Sequence, residues 1–298
     1  MIALRGVLAP VVTTFGEGGD VDLDAFARNL RAHVAAGVSG IVVTGSTGEA
    51  ALLDDAERNA LVERARAELA NGEVLLAGTG SESTRATIAR TSSAAERGAD
   101  AVLVVAPHYY GAAVSSDALR EHYERVADAS PIPVLLYSIP KYMHFAIAPE
   151  VVASLAKHEN IVGMKDSSGD AALFLRYIDL QSDAFRVLTG NGAFFAEALR
   201  MGAEGGILAA SLFAPEMTLA VWRAHERGDS AARALAQEAL TPLAATIVGA
   251  MGVAGVKAAL DRVGLDGGPT RPPLPALDAA TTERLEHLVR AAELAGAA

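Results

Sequence analysis

Gly6-Val7-Leu8-Ala9-Pro10-Val11-Val12-Thr13-Thr14-Phe15 is the stretch that decides the fold. The apolar run from Gly6 to Val12 is too short to span a membrane and lacks the layout of a signal peptide, so it reads as a buried first strand. Because the run is continuous rather than alternating, the strand is expected to be covered on both faces, as in a parallel sheet wrapped by helices. The residues after it separate the two common architectures of that kind. An open, doubly wound sheet usually carries a glycine-rich turn after its first strand. Thr13-Thr14-Phe15 stands there instead, which favours a closed barrel.

The rest of the chain repeats the unit. Seven further apolar runs follow: Gly40 to Thr44, Val74 to Thr79, Ala101 to Val105, Pro133 to Tyr137, Ile161 to Lys165, Phe185 to Gly190 and Gly205 to Ala210. Between them lie segments of helical period, such as Leu23, Phe26, Leu30 and Val34, then Leu61, Ala65 and Leu69, then Leu119, Tyr123 and Val126. Asp54 and Glu57 have capping-box spacing and Pro149 stands where a helix would begin. Gly37, Gly98 and Gly202 fall just past expected helix ends. Eight βα units imply an α/β fold, the (β/α)8 TIM barrel, over residues 1–213. Residues 214–298 read as a C-terminal helical region: a segment from Pro215 to Arg227, one from Asp229 to Gly249, one through Lys257 and one from Asp278 to Leu294. Gly267-Gly268-Pro269-Thr270-Arg271-Pro272-Pro273 separates the last two.

Composition narrows the function. The 298 residues are 51% hydrophobic, contain no cysteine and carry a formal charge of −11. A core is affordable, whereas disulfides and thiol chemistry are excluded. The acidic balance disfavours a nucleic-acid or anionic-membrane partner. The expected compartment is the cytoplasm. No metal is expected: H-E-x-x-H is absent, His108 has no partner at ligand spacing, and His33, His122, His158, His225 and His287 read as helix-surface residues. No G-x-S-x-G elbow marks a hydrolase.

In a barrel the chemistry lies at the carboxyl ends of the strands. The second strand ends in Gly45-Ser46-Thr47-Gly48-Glu49, where amides and hydroxyls before a helix can form an anion nest; the bland alternative is a polar tight turn. The fifth ends in Tyr137-Ser138-Ile139-Pro140, a phenol that either donates a proton or packs in the core. The sixth ends in Lys165-Asp166. A charged amine is costly in a water-poor barrel mouth, and a neutral amine is what Schiff-base catalysis needs. The alternative is a lysine that snorkels outward or pairs with Asp166 or Glu204. Only four lysines exist. Lys157 sits on a helix flank, Lys257 reads as a helix-face residue, and Lys141, in a loop at the same barrel end, is a weak rival.

Taken together, Gly45-Ser46-Thr47-Gly48-Glu49, Tyr137-Ser138-Ile139-Pro140 and Gly163-Met164-Lys165-Asp166 resemble the signatures of the dihydrodipicolinate synthase/N-acetylneuraminate lyase family, in order and approximate spacing, over essentially the whole chain. Leu75 to Thr84, Ile161 to Asp170, and Tyr109-Tyr110 followed by Ser115 to Leu119 look most like the 4-hydroxy-2-oxoglutarate aldolases within it. The resemblance implies a pyruvate-dependent lyase, a class I aldolase that uses a lysine Schiff base and no cofactor, assembled as a homotetramer or homodimer. Lys165 would form the Schiff base and Tyr137 would relay protons. Ser46 would join the relay, with Tyr109 reaching across a dimer interface. Ser46 and Thr47 would hold the pyruvate carboxylate, Gly190 and Ile207 would line the pocket, and Ser167 would contact the distal end of the substrate.

The chain departs from the family where the synthases carry an arginine two positions after Pro140. Tyr142 stands there, within a bulky Lys141-Tyr142-Met143-His144-Phe145. The same loop is small and Gly-containing in the oxoglutarate aldolases, so the chain departs from both, and the expectation of a 4-hydroxy-2-oxoglutarate-like substrate rests on the other motifs shared with those aldolases. The alternatives are a dihydrodipicolinate synthase that condenses pyruvate with aspartate semialdehyde and, more remotely, a non-catalytic barrel that binds a 2-oxo acid.

Overall fold

Eight parallel strands close into a barrel in sequence order, β1 (Gly6–Pro10), β2 (Gly40–Val43), β3 (Val74–Gly78), β4 (Ala101–Val105), β5 (Val134–Ser138), β6 (Ile161–Asp166), β7 (Arg186–Thr189) and β8 (Gly205–Ile207), with β8 pairing back onto β1. The computed structural model describes residue 2, residues 4–70 and residues 72–296. All eight apolar runs of the sequence are strands, Ala101–Val105 with unchanged bounds and the others trimmed or shifted by a few residues, and their side chains form one continuous core with the inner faces of the helices. The fold is the expected TIM barrel with a helical extension.

Local chemistry places the connections. Asp54 and Glu57 close a reciprocal capping box on helix Asp55–Glu68, and Pro149 occupies the first turn of helix Pro149–Leu155. Gly202 ends helix Phe195–Met201 at φ +114°, a conformation that a Cβ would oppose.

Two histidines lie elsewhere than the sequence predicts. His33 and His122 are buried rather than on helix surfaces. On helix Leu23–Ala35, His33 lies one and two turns from Asn29, Leu30 and Phe26, so the 3.6-residue period turns it inward, whereas Val34 is only half-buried. His122 occupies the corresponding edge of the Leu119, Tyr123, Val126 face of helix Ser116–Ala129 and hydrogen-bonds Thr84 Oγ1 through Nδ1 at 2.9 Å.

After β8 the chain is helical. Helix Pro215–Glu226 packs against β1, its Trp222 close to Gly6. Helix Ser230–Leu243 runs on into a π-helical segment, Ala244–Ala250, just after Pro242, whose missing N–H breaks the regular ladder. Helix Gly252–Arg262 follows, then a loop, then helix Ala279–Gly296. The π-helical segment and helix Gly252–Arg262 lie over the carboxyl ends of the strands and wall the pocket described next. No helix among the described residues is long and apolar enough to cross a membrane.

Candidate active site

Strand pairing brings the two central side chains together. Tyr137 and Lys165 are register partners on neighbouring β5 and β6 and so share one side of the sheet. Lys165 is 6% exposed and Tyr137 4%. The lysine Nζ lies 4.3 Å from the centre of the phenol ring, over its face. Among the described residues Lys165 forms no ion pair. Glu204 pairs with Arg5 and Arg186, and Asp166 takes hydrogen bonds from the Oγ and amide of Ser168, at 2.6 and 3.2 Å. The strand pleat accounts for the separation, because consecutive side chains leave opposite faces of β6. Burial pushes the Asp166 carboxyl up to about 6, opposed by the two Ser168 bonds.

The loop after β2 is wound tightly between two left-handed residues, Thr44 at φ 52° and Glu49 at φ 55°. Gly45 O accepts from the amides of Gly48 and Ala50, Ser46 O accepts from the amide of Glu49, and Gly48 O is held by Thr13 Oγ1 at 2.7 Å. Among the described residues, the amides of Ser46 and Thr47 donate to no protein acceptor. Two free amides and two hydroxyls at the mouth of a cavity are donors of the kind that can hold a carboxylate.

That cavity, of about 270 Å³, brings together Ser46, Thr47, Tyr137, Lys165, Ser167, Gly190 and Ile207. Its opposite wall is apolar and comes from the C-terminal region: Ala244, Val248, Gly249, Gly252, Val253 and Val256. Gly190 is required by close approach, since a Cβ there would sit 2.6 Å from Lys165 Cε and 1.9 Å from Ser167 Oγ. Lys141 and Tyr142 also line the cavity, and Lys141 Nζ donates to Gly249 O at 2.8 Å. His144 is exposed outside it. A larger neighbouring cavity, of about 780 Å³, shares Ser46, Tyr137, Ile139, Lys141, Tyr142, Gly252 and Val253 with the first but does not reach Lys165.

Tyr109 stands apart from the other expected site residues. It is 77% exposed, packs edge-on against Tyr110, lines neither cavity, and its amide is held by the Glu82 carboxylate at 2.8 Å. Lys257 differs from its expected place on a helix face. It is 1% exposed, and its Nζ lies 2.5 Å from Glu49 Oε1. Its spacing from Val253 and Val256 was the available signal, because that period puts all three on the inner side of one helix.

Residues 3–292 match the dihydrodipicolinate synthetase family. A DapA-like lyase of Halobacterium salinarum is 36% identical over 277 residues, 93% of this chain and 90% of that protein. A 4-hydroxy-tetrahydrodipicolinate synthase of Methanospirillum hungatei is 35% identical over 288 residues, 96% and 98% of the two chains. Among solved structures, a dihydrodipicolinate synthase from Bacillus anthracis superposes with a TM-score of 0.93 at 30% identity, covering 97% of this chain and 99% of that one. YagE, a prophage protein of the dihydrodipicolinic acid synthase family from E. coli solved in complex with pyruvate, gives 0.92 at 29% identity, covering 98% and 99%.

Proposed function

The chain belongs to the dihydrodipicolinate synthetase family of lyases, and on that premise we propose that it is a cytoplasmic class I aldolase that cleaves a 4-hydroxy-2-oxo acid of the 4-hydroxy-2-oxoglutarate type to pyruvate and an aldehyde. The observation that carries the reading is the Lys165 amine over the Tyr137 ring, in one small cavity with the free amides of Ser46 and Thr47. The nest holds the C1 carboxylate and so fixes the keto carbon for the amine. Neutral Lys165 adds to C2, water leaves, and a protonated imine forms. Tyr137 and Ser46 take the proton of the C4 hydroxyl. The C3–C4 bond breaks, its electron pair moves into the imine as an enamine, and the aldehyde departs. Protonation at C3 and addition of water then release pyruvate and regenerate the amine. The lysine supplies the electron sink, so no metal or other cofactor is assigned.

The distal wall favours this substrate. Tyr142 occupies it, with Lys141 Nζ 5.7 Å from its ring centre and tethered to Gly249 O. The relatives' names favour a second reading, a 4-hydroxy-tetrahydrodipicolinate synthase. We also assign Tyr109 to a contact between copies in a homodimer or homotetramer, its exposed ring facing the partner's site.

The test is a direct comparison of pyruvate release from 4-hydroxy-2-oxoglutarate with condensation of pyruvate and aspartate semialdehyde. Faster condensation would replace the first reading with the second. In parallel, borohydride and pyruvate should add a stable mass to Lys165, and its absence would remove both.

A further inference from the structure

One charge cluster, built on Glu49, Lys257 and Arg271, ties the nest loop to the C-terminal region. Glu49 follows the nest directly, in the left-handed conformation, with its side chain wholly inaccessible. Lys257 Nζ forms the ion pair with Oε1 and donates to Pro269 O at 2.7 Å. The Arg271 amide donates to Oε2 at 2.8 Å. The Arg271 guanidinium then secures the far end of the same loop, reaching Leu52 O at 2.8 Å and both oxygens of Glu57 at 2.7 and 2.5 Å. Both cations lie over the ring of Phe15, from the loop after β1, with Lys257 Nζ at 4.4 Å and Arg271 Cζ at 4.2 Å from its centre. Both ends of the segment from Glu49 to Glu57 are thus clamped by residues 257 to 271.

The helix that carries Lys257 also forms a wall of the catalytic cavity through Gly252, Val253 and Val256. One rigid helix therefore sets the cavity wall and, one turn further on, grips the residue that ends the nest. Burying an ion pair is a poor way to gain stability, since well-packed apolar side chains do as well or better. A pair fixes relative position in a way that apolar contacts do not, because only one arrangement satisfies both charges. Burial lowers the pKa of Lys257, and the Glu49 carboxylate opposes that shift.

We infer that Glu49, Lys257 and Arg271 are positioning residues for substrate binding: they hold the amides of Ser46 and Thr47 at the spacing that grips the carboxylate of a 2-oxo acid. None of the three is a catalytic residue. The inference rests on the Schiff-base reading of Lys165, and the experiment separates the two. Borohydride trapping of full-length chain is measured against pyruvate concentration for the wild type, K257M and the E49Q/K257M double variant, with thermal unfolding recorded for each. Trapping in the wild type establishes the Schiff base, and a wild type that does not trap refutes that reading instead. K257M leaves a carboxylate buried alone, and a K257M chain that does not fold makes the double variant the reporter, since no unpaired charge is buried in it. The expected result for the double variant is near-native unfolding temperature, unchanged maximal trapping, and a half-saturating pyruvate concentration raised about tenfold or more, as befits a carboxylate cradle displaced by a fraction of an ångström. Native half-saturation in a folded double variant overturns the inference, as does a loss confined to the maximal yield.

Discussion

Gly190→Ala should disable Lys165 without replacing it. The added methyl would lie 2.6 Å from Lys165 Cε, 1.9 Å from Ser167 Oγ and 3.1 Å from Ser167 Cβ. Carbon atoms in contact prefer about 3.5–4.0 Å, so the lysine chain must retreat by about 1 Å. The Ser167 hydroxyl can rotate away, but Lys165 has little freedom. Its strand is paired on both sides and its amine already lies against the Tyr137 ring. A shift of about 1 Å in a reacting group costs about 10²-fold in rate, and overpacking of this kind costs about 1–3 kcal/mol of stability. The double variant Ser167→Ala/Gly190→Ala separates these effects, because it removes the hydroxyl overlap and leaves the overlap with Cε. Thermal unfolding should recover most of its loss in the double variant, while the rate of borohydride trapping with pyruvate stays depressed. Native trapping in Gly190→Ala, or full recovery of trapping in the double variant, would show that Lys165 does not need the space that Gly190 leaves.

Two further predictions concern pH. Asp166 is buried beside Lys165 in sequence, and its folded pKa of about 6 lies above the ordinary 3.8. The neutral acid is therefore favoured on folding, and its contribution is present at low pH and is lost as pH rises through about 6. Asp166→Asn, which keeps an acceptor for Ser168, should raise unfolding free energy at pH 8 by at most about 3 kcal/mol and change it little at pH 4. Equal denaturant curves at pH 8 would mean that the carboxylate is compensated by contacts other than Ser168. His33 titrates in the opposite sense. Burial lowers its pKa to about 4, so its contribution is complete above the unfolded value of 6.5 and is lost as pH falls through about 4. His33→Leu should flatten acid unfolding across that window by about 3 kcal/mol, and an unchanged acid midpoint would mean that folding does not lower the pKa of this ring.

The barrel was legible because its determinants are local. Eight continuous apolar runs, the Asp54 and Glu57 cap and Gly202 each act within a few residues, and all three kinds of signal hold in the structure. The cavity was legible because a barrel converts position along a strand into position in space. Ser46, Thr47, Tyr137, Lys165, Ser167, Gly190 and Ile207 converge for no other reason than lying at the carboxyl ends of β2, β5, β6, β7 and β8 or just beyond them. The features that escaped depend on long-range partners. The spacing of Lys257 from Val253 and Val256 marks its side of the helix but not its partner; that anion is Glu49, more than two hundred residues away. Similarly, the regular period read through Asp229 to Gly249 hides the change to π-helical winding that follows Pro242.

That winding bears on the chemistry. The barrel supplies the amine, the phenol and the nest, but on its own it leaves them facing outward from the strand ends. The wall that covers them is Ala244 to Gly249 followed by Gly252 to Val256, and it is apolar apart from its backbone. On the proposed mechanism, imine formation expels one water and product release admits one, so an apolar wall around the amine would favour the covalent intermediate until the aldehyde has gone. The same segment presents Gly249 O to Lys141, which holds the loop after β5 against the wall. On the proposed aldolase reading, substrate size would thus depend on a contact between the barrel and its extension rather than on either alone. The residues from Pro242 to Lys257 are accordingly where members of this fold that differ in substrate should differ most in side-chain volume, even where the lysine, tyrosine and nest are unchanged.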